Sequence, residues 1–162
     1  MKEIPLTQGY VALVDDEDYQ RINQFKWQAQ PDKKTVYAVR SITISIGKHT
    51  ALRLHRVILG ITDPKVQVDH KDRNGLNCQR SNLRTATSTE SAHNRGIRSD
   101  NKSGFKGVYW RKDQQMWRAS IMVNKKRINL GQNFKNAKEA AQVYDMAAIK
   151  YFGEFAVTNF SH

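Results

Sequence analysis

Apolar and polar positions alternate in short runs over the first third of the chain. Tyr10-Val11-Ala12-Leu13-Val14 follows Gly9 and predicts a strand. The acidic run Asp15-Asp16-Glu17-Asp18 opens a short predicted helix carrying Tyr19, Ile22 and Phe25. Acids suit a helix start, where they face its free N–H groups. Val36-Tyr37-Ala38-Val39 and Ile42-Thr43-Ile44-Ser45-Ile46 read as a strand pair. Residues 52–60 begin as a strand and end as a short helix closed by Gly60.

The pattern then turns polar. Residues 66–70 predict a short strand, Asn74-Gly75 a tight turn, and residues 87–95 a helix. Thr87 is the expected N-cap, with Glu90 completing a capping box. Residues 96–104 have the composition of a linker. Three strand-like runs follow at 105–110, 116–123 and 127–130. In the second, Trp117, Ala119, Ile121 and Val123 alternate with Arg118, Ser120 and Met122, so one face is apolar. Asn124-Lys125 fits a tight hairpin, and Asn136 caps a final helix that Gly153 ends. Along that helix Ala140, Ala141, Tyr144, Ala147, Ala148 and Tyr151 form a small-residue stripe that can lie close on a sheet. The expected class is α+β: a β-rich N-terminal segment, a polar middle, and three antiparallel strands packed on one helix.

Charge sharpens this picture. The 162 residues carry 27 Lys+Arg against 15 Asp+Glu, a formal charge of +12. The excess is +3 in residues 1–68 and +9 in residues 69–162. Residues 102–127 hold eight basic side chains and one acid, Asp113. A patch this local favours a polyanion partner over a merely solubilising surface. No run of about 18 apolar residues suits a membrane span, and the opening Met1–Pro5 predicts no secretory leader. One cysteine, Cys78, gives no internal disulfide and fits a reducing, cytoplasmic setting. With scattered histidines it supplies no ligand set at zinc spacing, so no zinc is expected. His55 reads as a buried, hydrogen-bonded structural histidine, and His49 and His162 as exposed.

Chemistry concentrates in the middle. Asp69-His70 ends a strand, Asn82 follows, and a helix then carries His93 and Asn94. Hydrolysing a phosphodiester needs a base for water, a cation to stabilise the leaving oxygen, and a group to hold the base. Asp69 offers a hard oxygen, His70 a base, and Asn82 an amide able to tie a loop at 82–84. Arg84 is a candidate phosphate contact. Neighbours on a strand face opposite ways, so a twist or bulge is needed to bring Asp69 and His70 to one site. The same residue types favour turns, and spacing alone leaves a polar loop open.

Val68-Asp69-His70-Lys71-Asp72-Arg73-Asn74-Gly75-Leu76-Asn77 with Arg80-Ser81-Asn82-Leu83-Arg84-Thr85-Ala86-Thr87 closely resembles the HNH motif of phage and intron homing endonucleases. Residues 105–160 resemble the plant ethylene-response-factor (Apetala-type) DNA-binding domain. The carriers are Ser103-Gly104-Phe105-Lys106-Gly107-Val108, Trp117-Arg118-Ala119, Leu130-Gly131, Glu139-Ala140-Ala141, Tyr144-Asp145, Ala147-Ala148 and Phe152-Gly153. Ile4-Pro5-Leu6-Thr7-Gln8-Gly9 and Leu54-His55-Arg56 resemble the leader of such fused proteins.

The resemblance implies an N-terminal β-rich segment at 1–65, a ββα-metal HNH core at 66–97, a linker at 98–104 and an Apetala-type DNA-binding domain at 105–162. It implies Asp69 as metal ligand, His70 as general base, Asn82 as the residue fixing the loop, and Mg²⁺ or Mn²⁺ as cofactor. The family's second ligand, a His or Asn nine residues after the middle Asn, falls here on Ser91. Three readings stay open: His93 or Asn94 supplies the ligand after a register shift, Ser91 holds the ion through water, or the site is weakened. On the C-terminal sheet, Lys106, Arg111, Arg118 and Arg127 match basic DNA-contacting positions, whereas Tyr109, Met122 and Asn129 depart. The function implied is a metal-dependent endonuclease acting on double-stranded DNA, with no membrane and no protein partner. Two alternatives are a non-catalytic DNA-binding protein with a degenerate HNH site and a basic RNA-binding protein.

Overall fold

The computed structural model describes residues 1–32 and 35–160; His162 lies outside them. The chain divides into two compact units, Met1–Ser88 and Thr89–His162. Both mix short sheets with few helices, so the class is α+β. Among the described residues, no helix is long and apolar enough to cross a membrane.

In the first unit, β1 (Lys2–Pro5) pairs antiparallel with β2 (Val11–Val14). Helix α1 (Asp16–Asn23) follows and buries Ile22. The three-stranded sheet has the order β3 (Gln28–Asp32), β4 (Thr35–Ser45), β5 (Lys48–Arg53). The strand pair expected at 36–39 and 42–46 is thus one long strand, β4. Its first half pairs with β3 and its second half with β5. Arg40-Ser41 breaks the apolar pattern, yet the strand runs straight through it. The reversal comes at Gly47, whose φ of 71° suits glycine.

Helix α2 (Leu54–Leu59) continues directly from β5 and ends on left-handed Gly60. Next, β6 (Gln67–His70) and β7 (Leu83–Ala86) form a two-stranded antiparallel ribbon. Residues 82–84, read from sequence as a loop, divide between a 3-10 turn and this strand. Burial of Leu83 and Ala86 is what turns the segment into a strand. The core joins Ile4, Val14, Ile22, Trp27, Leu54, Ile58, Cys78 and Leu83, so ribbon and sheets share one apolar centre.

Helix α3 (Ser88–His93) begins directly after Thr87, at the boundary between the units. In the second unit, β8 (Val108–Arg111), β9 (Met116–Val123) and β10 (Lys126–Phe134) form an antiparallel sheet with β9 central. The first strand starts later than residue 105 because Phe105–Gly107 bends. Gly107 has φ 76°, and a Cβ there would lie 2.0 Å from the Tyr144 ring. Asn124 and Lys125 both take positive φ, as a two-residue hairpin requires. Helix α4 (Ala137–Phe152) is capped by Asn136, whose side chain accepts from the Glu139 N–H at 2.8 Å. Its Ala140, Ala141, Tyr144, Ala147 and Ala148 are buried, while Tyr151 is exposed and stands outside the stripe. Residues expected as a linker are tied to this unit: Asn101 Nδ2 donates to the Phe105 carbonyl and Ser103 Oγ to that of Val108.

Candidate active site

The β6–β7 ribbon runs in regular register, with Asp69 opposite Arg84 and His70 opposite Leu83. No bulge is needed to end the strand at His70. Arg84 donates to Asp69 Oδ2 from Nε at 3.1 Å and from Nη2 at 2.9 Å. Both side chains are about one-tenth exposed, so the pair is largely withdrawn from water. Arg84, expected on phosphate, is therefore engaged with the expected metal ligand.

His70 turns into a pocket walled by rings. Its own ring lies 4.9 Å from that of His55 and 5.9 Å from that of Tyr37. Cys78 Sγ sits 3.9 Å from His70 Nε2 and also approaches the Gly75 carbonyl at 3.8 Å. Burial pulls the His70 pKa below the ordinary histidine value, and the carboxylates of Asp72 and Asp69 partly offset it. His70 is then a neutral imidazole at neutral pH, the form a general base needs. Burial likewise pushes the His55 pKa down to about 3, helped by His70 and two arginines, Arg53 and Arg56. Its Nδ1 is buried without a hydrogen-bond partner among the described residues. The expectation of a hydrogen-bonded His55 is corrected on that point. An unpartnered buried nitrogen costs on the order of 1–3 kcal/mol.

Asn82 ties the loop that follows His70. Its Oδ1 accepts from the Asp72 N–H at 3.0 Å. Its Nδ2 donates to Asp72 Oδ1 at 2.9 Å and to the Asn77 carbonyl at 2.8 Å. Lys71 N–H donates to the Asn82 carbonyl, closing the loop onto the ribbon. Gly75 lets this loop pack on β4: a Cβ there would lie 2.5 Å from the Val36 carbonyl oxygen, and its N–H donates to Thr35 Oγ1.

Sequence reasoning missed the anchor on the other side. Arg80, in the turn before Asn82, donates to buried Asp18 from Nε at 2.8 Å and from Nη2 at 2.9 Å. Its N–H donates to Asp15 Oδ2 at 2.7 Å. The acidic run that opens α1 thus also fastens the site loop. The signal was the fourth acid: Asp18 falls on the buried face of the helix, where an acid must have a partner.

The remaining expected residues sit in the second unit. His93 stacks on Phe152, ring centroids 3.7 Å apart and planes at 14°. Asn94 is buried. Lys106 Nζ donates to the carbonyls of His93 and Arg95, which ties it to the end of α3. The sheet face away from α4 carries Tyr109, Arg111, Arg118, Ser120, Met122, Arg127 and Asn129. Arg111 pairs with Asp113. Arg118 donates to Asn129 Oδ1 and lies over the Tyr109 ring. Arg127 is exposed, beside a depression lined by Asn101, Tyr109 and Ser120.

For a divalent cation, the ribbon supplies one hard oxygen ligand, Asp69. Among the described residues, no three His, Cys, Asp or Glu side chains form a ready ligand cluster. Such a sparse set fits an ion that keeps several waters and completes its shell with a substrate phosphate, as Mg²⁺ does.

A strand-turn-strand ribbon presenting Asp-His, a loop clasped by one Asn and a following short helix together define a small mixed α/β site. The chain is 31% identical over 156 residues to a protein of Acanthamoeba polyphaga mimivirus named as an uncharacterized HNH endonuclease. That match covers 93% of this chain and 75% of the mimivirus protein. The chain belongs to the HNH endonuclease family. Shorter matches reach Protein 3.8 of Escherichia phage T7, 39% identical over 62 residues, and the H-N-H endonuclease F-TflI of Escherichia phage T5, 37% over 62 residues. They cover 38% and 34% of this chain, and 51% and 31% of those phage proteins. No protein-family model matches the chain.

Proposed function

We propose that this protein is a divalent-metal-dependent DNA endonuclease of the homing type, with a C-terminal sheet that binds double-stranded DNA. The observation that carries this reading is His70: a neutral, buried imidazole beside a carboxylate, at the end of a ribbon whose following loop is locked by Asn82. His70 removes a proton from the attacking water. Asn82 keeps the loop, and with it the strand end, in one conformation. Asp69 would hold Mg²⁺ or Mn²⁺, with His93, Asn94 or a water on Ser91 as candidate further ligands. When bound, the cation supplies charge for the scissile phosphate and the departing 3′ oxygen. The expected products carry a 5′-phosphate and a 3′-hydroxyl.

Arg118 and Arg127 are the DNA-binding side chains best supported on the second unit. They stand on the open face of an Apetala-type arrangement, whose curvature suits a major groove about 12 Å wide. Lys106 and Arg111 have internal partners and contribute less.

A second reading is a DNA-binding protein whose nuclease site has decayed. It draws on Ser91 and on the Arg84 guanidinium that already holds Asp69. Supercoiled plasmid incubated with Mg²⁺ or Mn²⁺ separates the two. Conversion to nicked or linear DNA, abolished by EDTA, is the outcome expected of the nuclease. Tight binding with intact plasmid under every divalent ion is the outcome of the second reading.

A further inference from the structure

A base takes a proton along the lone pair of its ring nitrogen, so the plane of the ring must be set before the reaction. His70 is the last residue of β6, and the torsion that turns an imidazole about its Cβ–Cγ bond is broad. Something beside the ring must choose its plane. Cys78 touches only the Nε2 edge, at the long distance of 3.9 Å typical of sulfur contacts. The ring that meets His70 most closely is His55, in the first turn of α2, with centroids 4.9 Å apart and planes at 89°. Tyr37 on β4 backs both, at 5.6 Å from His55 and 5.9 Å from His70.

His55 is a poor choice for stability alone. It is 4% exposed, and its Nδ1 has no hydrogen-bond partner among the described residues. An apolar side chain of similar size would fill the same space and leave no buried polar atom unsatisfied. A residue that weakens the fold while touching a reacting group fits the usual trade between stability and activity. Its burial keeps it uncharged, so it acts on its neighbour through shape and not through proton transfer.

We propose that His55 is a positioning residue for DNA cleavage: its flat ring, packed at a right angle to His70, fixes the plane of the His70 imidazole and so aims its lone pair. The proposal rests on the reading of His70 as general base. It predicts that what matters at position 55 is a flat ring of this orientation, and that the site is otherwise indifferent to the residue.

The test uses the full chain and three variants, His55→Leu, His55→Phe and His70→Ala, with kcat, KM for a duplex substrate in Mg²⁺, and Tm measured for each. His55→Leu keeps the apolar volume and removes the ring. Its kcat should fall about tenfold or more, since small misplacements of reacting groups have effects of that order. Its KM should stay within about twofold and its Tm should hold or rise, since the buried nitrogen is gone. His55→Phe should recover most of the lost kcat. Wild-type kcat in His55→Leu, a loss that tracks a fall in Tm, or a Phe variant no better than Leu would each overturn the proposal. His70→Ala distinguishes the levels: if it cleaves at the wild-type rate, the reading of His70 itself has failed. If it is inactive while His55→Leu is normal, only the role of His55 has failed.

Discussion

Arg84 stands directly across the ribbon from Asp69 and holds one of its carboxylate oxygens with two hydrogen bonds. The pair is nearly out of water, so breaking it leaves a buried charge. The Arg84→Ala protein should lose about 2–4 kcal/mol of stability, toward the lower end of the range for broken buried pairs. Removing the guanidinium also frees Asp69 from a competing cation. Mn²⁺ titrated into the DNA-free variant should therefore bind several-fold more tightly than into wild type, provided the variant remains folded at the titration temperature. Unchanged Mn²⁺ affinity would argue that Asp69 is not the ligand.

Asp18 makes a prediction about acid. Burial raises the pKa of its carboxyl, but hydrogen bonds and charge from Arg80 and Arg21 outweigh burial and leave it below the usual carboxylate value. A carboxyl with a lowered folded pKa adds stability that is full above its unfolded pKa, about 4, and is lost as pH falls through the folded value. Asp18→Asn should therefore lower stability by about 1–3 kcal/mol at pH 7, and the gap to wild type should shrink below about pH 4. Urea unfolding followed at several pH values measures it.

Much of the fold is legible in local sequence. The alternation in residues 116–123, the cap at Asn136 and the hairpin at Asn124-Lys125 follow from local rules, and all three hold. Local rules failed where long-range pairing decides. Lys2–Pro5 is a strand only because β2 lies beside it, and Gln28–Asp32, with a proline, only because β4 does. The site divides the same way. Asp69, His70 and Asn82 stand out by type and spacing. Their supports come from elsewhere in the chain: Arg80 through Asp18, and the ring wall through Tyr37 and His55. Nothing in the local pattern around residue 55 marks it as facing residue 70.

The pH dependence of cleavage follows from burial of His70. Its pKa is held below the ordinary value of about 6.5, so the base stays unprotonated to lower pH than a free histidine. The rate should fall as pH drops through the lowered value, and the acid limb of kcat against pH should have its midpoint below about 6.5. A midpoint well above that would contradict a buried neutral base.

Binding by the second unit should be electrostatic. The excess of +9 in residues 69–162 gives log K a negative slope against log salt. Removing one side chain that neutralises a phosphate should make that slope shallower by roughly 0.9. Arg127→Ala, an exposed position, should weaken binding to any duplex while leaving Tm unchanged. Fluorescence anisotropy at several salt concentrations reads the affinity and the slope, and thermal unfolding reads Tm.

The central claim is that His70 is the base of a metal-dependent nuclease. Its most direct test is the single-turnover rate of duplex cleavage in Mg²⁺, at saturating protein, for wild type and His70→Ala. The account predicts measurable cleavage by wild type and a loss of about 10²-fold or more in the variant, with DNA affinity unchanged. Equal rates in the two proteins would contradict it.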